Sequence, residues 1–115
     1  MELQPLTAIS PIDGRYRKQV EHLSGYFSEF ALIKQRVVVE AEYLFFLAEK
    51  KFLPLSSKAK NDLQKLVENF SLEDALKIKE IEAVTNHDVK AVEYFLKEAL
   101  ENSGGVNIKN GYTSV

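Results

Sequence analysis

The chain has 115 residues, enough for one small hydrophobic core but not for a second independent one. Hydrophobic residues make up 45% and charged residues 28%, the balance of an ordinary soluble globular protein rather than a disordered segment. Fifteen Lys and Arg against seventeen Asp and Glu leave a net charge of −2, without the basic excess of a nucleic-acid binder, and the lack of cysteine excludes disulfides and thiolate-bound metals.

The start, Met1-Glu2-Leu3-Gln4-Pro5, lacks the basic residues and apolar core of a signal peptide, so a cytoplasmic protein is expected. Pro5, Pro11 and Gly14 are spaced so that no helix runs through the first fourteen residues. Ser10-Pro11-Ile12-Asp13-Gly14-Arg15-Tyr16 is turn chemistry that delivers an arginine and a tyrosine side by side, with Gly14 letting the backbone bend. A short helix is predicted from about Arg17 to Leu23, stopping near Gly25. Ser28 then caps a long helix whose first turn carries Glu29, an acid at the positive end of the helix dipole.

Along that helix, Phe30, Ile33, Val37, Ala41, Leu44 and Ala48 recur on one face, while Leu32, Val39 and Phe46 fall seven apart on another. Two apolar faces on one helix call for burial on more than one side, one in the local core and one against another subunit or domain. The longest apolar run, Tyr43 to Ala48, is six residues, too short to span a bilayer, so no membrane partner is expected. Pro54 is expected to end this region. The next helix buries Leu63, Leu66, Val67 and Phe70, and Ser71 with Asp74 forms a capping box for a helix carrying Leu72, Ala75, Leu76, Ile78, Ile81 and Ala83. Four polar residues, Thr85-Asn86-His87-Asp88, break the periodicity before a last amphipathic helix with Val89, Val92, Phe95, Leu96 and Ala99, in which Glu93 and Lys97 are spaced as an i,i+4 ion pair. Asn102-Ser103-Gly104-Gly105 stops it. The reading is all-α: four to five helices over residues 1–102, one of them long, then a loop or junction over 103–115.

Two polar clusters carry chemical potential. In the first, Arg15 offers a planar fork of donors suited to phosphate or carboxylate, and Tyr16 can stack or donate its hydroxyl. The same spacing also suits a plain turn whose arginine pairs with a surface acid. In the second, the helix start after Asn86 presents backbone N–H groups to anions, and His87 can supply a proton or a hydrogen bond near neutral pH. A capped helix start with an incidental histidine fits equally. His22 reads as a surface histidine. Two histidines are too few for an all-histidine metal centre, and no metal-ligand spacing or glycine-rich phosphate loop occurs.

The same residues carry a resemblance. Leu6-Thr7-Ala8-Ile9-Ser10-Pro11-Ile12-Asp13-Gly14-Arg15-Tyr16 resembles the opening of the bacterial adenylosuccinate lyases, and the stretch from Thr85 to Glu98, TNHDVKAVEYFLKE, is similar to a second motif of that family. Phe27-Ser28-Glu29 and Lys34-Gln35-Arg36-Val37 are similar in kind and position. The resemblance implies an N-terminal domain in the fumarase/aspartase superfamily, all-α homotetramers that eliminate fumarate from adenylosuccinate and from the succinylated aminoimidazole carboxamide ribotide in purine biosynthesis, with no cofactor or metal. It implies that Arg15 and Tyr16 bind substrate, together with Asn86, His87 and Asp88, with His87 placed to touch phosphate or assist proton transfer and Lys90 adding positive potential. The family's second catalytic histidine and its serine-bearing loop have no counterpart here; they are expected beyond Val115, in the rest of the lyase chain and its other subunits. The 115 residues alone are therefore expected to be inactive. The alternative is a stand-alone helical interaction module. The two readings differ over Leu32, Val39 and Phe46: a lyase fragment leaves them partly exposed, whereas a self-sufficient module covers them or dimerises.

Overall fold

A computed structural model describes residues 1–102. Among the described residues every regular element is helical, as the all-α reading requires. The chain divides into two compact units, Met1–Leu32 and a second one beginning at Ile33.

In the first unit a 3-10 turn spans Pro5–Thr7, and α1 (Arg17–Val20), a 3-10 turn (Glu21–Leu23) and α2 (Ser24–Phe27) follow in succession. The helical path therefore continues through Gly25, where a stop was expected. Gly25 has open space where a side chain would stand, and the break comes at Ser28, whose backbone turns extended at φ −69° and ψ 162°. A weak helix former costs about 1 kcal/mol but does not end a helix unless the backbone also changes direction.

α3 (Glu29–Glu49) starts as expected, with Ser28 Oγ accepting the Ala31 N–H at 3.1 Å. At 1.5 Å per residue it is about 30 Å long. Ile33, Val37, Ala41 and Leu44 are buried, and Phe30 and Ala48 are partly so. On the other face Leu32, Val39 and Phe46 remain 50%, 64% and 51% exposed. Pro54 does not end this helix. Lys51 adopts the left-handed conformation at φ 64°, its N–H donates to Ala48 O at 3.1 Å, and Phe52 N–H donates to Leu47 O at 2.9 Å. This is a Schellman closure with lysine where glycine is usual.

The second unit continues with α4 (Ser57–Glu68), α5 (Leu72–Thr85) and α6 (Asp88–Asn102). Ser56 Oγ caps α4 by accepting the Ala59 N–H at 3.1 Å. The predicted capping box of α5 forms in both directions: Asp74 N–H donates to Ser71 Oγ at 3.2 Å, and Ser71 N–H to Asp74 Oδ2 at 3.0 Å. α6 packs most extensively on α5 and also on α4. Its Ala91, Val92, Phe95, Leu96 and Leu100 are buried, and the Phe95 ring meets Phe70 edge-on at 6.2 Å. Of the apolar set expected on α5, Ala75 and Ile78 are buried whereas Leu72 and Leu76 stay more than half exposed. The expected Glu93–Lys97 pair is replaced by Lys90–Glu93, Nζ to Oε2 at 3.0 Å. Glu93 is 4% exposed, and the lysine one turn earlier supplies its counter-charge. The expected loop or junction over 103–115 lies outside the described residues.

Candidate functional site

The Asp13–Tyr16 turn is built by short-range bonds. Asp13 Oδ1 accepts the Ser10 N–H at 2.9 Å and the Ser10 hydroxyl at 3.3 Å, and Ser10 Oγ accepts the Ile12 N–H at 3.2 Å. Pro11 O receives Gly14 N–H at 3.3 Å and Tyr16 N–H at 2.9 Å. The bond from the Ser10 backbone N–H favours the ionised carboxylate and holds the Asp13 carboxyl below its ordinary value. The glycine at position 14 serves close approach rather than bending, because a Cβ there would lie 2.5 Å from Pro5 O and 3.0 Å from Ala8 Cβ.

This turn brings Arg15 and Tyr16 together. Arg15 Nη2 donates to the Tyr16 hydroxyl at 2.7 Å, and the guanidinium carbon lies 4.5 Å from the Tyr16 ring centroid. The pairing with a surface acid that spacing also allowed is not the one formed. Tyr16 is 39% exposed, so the pair is open to a ligand and the guanidinium keeps donors to spare.

The second corner is the α5–α6 junction. α5 closes at Asn86, which takes the left-handed conformation (φ 54°, ψ 33°) that asparagine tolerates, and Asn86 N–H donates to Glu82 O at 2.7 Å. His87 then caps α6. Its carbonyl accepts the Ala91 N–H at 3.0 Å, and its ring Nδ1 accepts the Lys90 N–H at 3.2 Å. Histidine is the residue of the four whose type does not predict capping. Asp88 does not orient the imidazole: Oδ1 accepts the Val89 N–H at 2.7 Å and Oδ2 pairs with Arg36 of α3 at 3.3 Å. Lys90, expected to add positive potential, is paired with Glu93 and lies 5.7 Å from the Tyr94 ring centroid.

Asn86, His87 and Asp88 line an open depression of about 500 Å³ together with Lys79, Glu82 and Ala83 of α5. Lys79 and Glu82 form an ion pair at 3.3 Å. The structure thus gathers the three predicted residues of this cluster in one concavity at the start of α6, but the Val89 and Lys90 N–H groups that were expected to meet an anion are already taken by Asp88 Oδ1 and His87 Nδ1. Three contributors were not singled out from sequence. Lys79 lines the depression, Arg36 holds Asp88, and Thr85 brackets the backbone of His87, accepting its N–H and donating to its carbonyl at 3.3 Å each. The threonine sits inside the polar run and was legible there; the role of Arg36 depends on tertiary contact. Among the described residues no group of His, Asp and Glu is placed to hold a metal.

No protein-family model matches the chain. Curated relatives do. The chain is 52% identical to the adenylosuccinate lyase of Haemophilus influenzae over 106 residues, 89% of this chain and 23% of that protein. It is 54% identical to the enzyme of that name from Dictyostelium discoideum over 105 residues, 87% of this chain and 22% of the relative. With the adenylosuccinate lyase of Legionella pneumophila the identity is 49% over 107 residues, 90% of this chain and 24% of the relative. Over nearly all of its length the chain is similar to adenylosuccinate lyases. It spans under a quarter of the length of these lyases. No helix among the described residues is long and apolar enough to cross a membrane.

Proposed function

We propose that this chain supplies substrate-binding residues to a lyase that eliminates fumarate from adenylosuccinate, giving AMP, and from the succinylated aminoimidazole carboxamide ribotide. In that reaction a base takes a proton from the carbon beside the one bearing nitrogen. The released electron pair forms the double bond of fumarate, and the C–N pair departs with the nitrogen, which ends protonated. The observation that carries the reading is the concavity at the α5–α6 junction, which Asn86, His87 and Asp88 line together. A substrate with one phosphate and two carboxylates needs several anion sites; the His87 side chain at this junction and the exposed Arg15–Tyr16 pair are donors suited to two of them.

The base and the remaining groups come from the rest of the lyase chain and its other subunits, in a cytoplasmic homotetramer of the purine pathway. Exposure of Leu32, Val39 and Phe46 supports this reading over a self-sufficient module that covers them within its own chain, and the oligomeric state of the chain distinguishes it from a module that dimerises. The test is a chimera in which this chain replaces the matched residues of the Haemophilus influenzae lyase. Release of fumarate from adenylosuccinate is expected. A chimera that assembles like the parent yet releases none overturns the proposal.

A further inference from the structure

We infer that His87 meets its ligand as a hydrogen-bond donor through Nε2, because its other ring nitrogen is engaged by the helix it starts; the inference rests on the function proposed above. His87 Nδ1 accepts the Lys90 backbone N–H at 3.2 Å. Only a ring nitrogen with a free lone pair accepts an N–H, so the proton of the neutral imidazole sits on Nε2.

The backbone that carries the ring is held by its neighbours. Thr85 Oγ1 bonds both the N–H and the carbonyl of His87, and the same carbonyl accepts the Ala91 N–H. The neighbouring charges are engaged elsewhere: Asp88 with Arg36 and the Val89 N–H, Glu82 with Lys79, and Lys90 with Glu93. Among the described residues no carboxylate is bonded to the ring to reverse the tautomer. Nε2–H is then the polar group that the ring has left for the depression that His87 lines.

This geometry separates two roles that residue type alone leaves open. A general base needs a lone pair facing the substrate, and here the lone pair is turned into the helix. Taking up a proton at Nδ1 would release the Lys90 N–H and place a positive charge at the positive end of α6. An Nε2–H donor costs nothing of the cap and suits a carboxylate or phosphate oxygen. Removal of the carbon-bound proton falls to a different group.

The experiment reads the ring directly. Long-range ¹H–¹⁵N correlation on the ¹⁵N-labelled 115-residue chain, recorded on the neutral rings, should show His87 as a single tautomer with Nδ1 unprotonated and Nε2 protonated. Exposed His22 serves as the reference and should show the averaged pattern of two tautomers. A protonated Nδ1 at His87, or averaging like that of His22, overturns the inference. In parallel, His87→Ala should lower the melting temperature by several degrees and His87→Asn should restore most of it, since asparagine caps well. Equal melting temperatures for all three chains would show that the ring does not cap and would also overturn it. Neither measurement uses substrate. An inactive chimera with the ring in the expected tautomer defeats the proposed function alone, and an active chimera with an averaged ring defeats the donor assignment alone.

Discussion

The Asp13–Tyr16 turn and the Thr85–Asp88 junction both offer donors to an anion, yet they are held by different means. In the turn, the bonds that set the backbone close within a few residues, and among residues 1–30 only Gly14 is buried. The junction takes its position from α5 and α6, which pack on each other and bury Ile78, Val92 and Leu96, and from an ion pair reaching in from α3. A local device is vulnerable to a single misplaced atom beside it. A packed junction is vulnerable to cavities some distance away.

The largest effect expected is on turnover. In the active chimera, Arg15→Ala and His87→Ala should each lower fumarate release by roughly 10²-fold or more. For His87 this far exceeds the ~1 kcal/mol of a lost cap. Near-parental rates in both variants would remove both corners from the site. Next in size is the packed core. Leu96 is fully buried, and Leu96→Ala should cost about 2–5 kcal/mol in denaturant unfolding. A loss below 1 kcal/mol would show that the junction does not depend on this core.

Gly14→Ala should cost about 1–3 kcal/mol, as overpacking does, and shift the amide resonances from Ser10 to Tyr16; unchanged resonances would mean that the turn has room. The smallest effect is electrostatic. The Asp13 carboxyl titrates below its ordinary value in the folded chain and at that value when unfolded. Its contribution is therefore complete above the ordinary value and disappears as pH falls through the lowered one. Amide shifts at Ser10 should follow that titration and become pH-independent over the same range in Asp13→Asn.

Much of the fold was legible because its signals are local. Ser28, Ser56 and Ser71 mark helix starts through side chains that reach only three residues ahead. The buried stripes of α3 and α6 follow from 3.6-residue periodicity. The misreadings share one cause, the use of residue type where backbone geometry decides. Pro54 reads as a terminator, but Lys51 had already closed α3 by adopting a left-handed conformation. Gly25 reads as a stop, yet its backbone stays helical. Gly14 reads as a flexible bend, and its real constraint is the carbonyl of Pro5. The site residues Arg15, Tyr16, Asn86, His87 and Asp88 could be picked out as polar clusters at helix starts, but which of them bond to one another could not.

By itself the sequence determined the helical class, most of the helix starts, the principal buried faces and the two polar corners, because capping, turn chemistry and amphipathic spacing act over a few residues. Tertiary structure decided which charges are spent internally. Arg36 reaches Asp88 across the fold, burial of Glu93 recruits Lys90, and the start of α6 turns a lone pair of His87 inward. These outcomes depend on where whole helices lie, and on the cost of leaving a buried charge or a helix N–H without a partner.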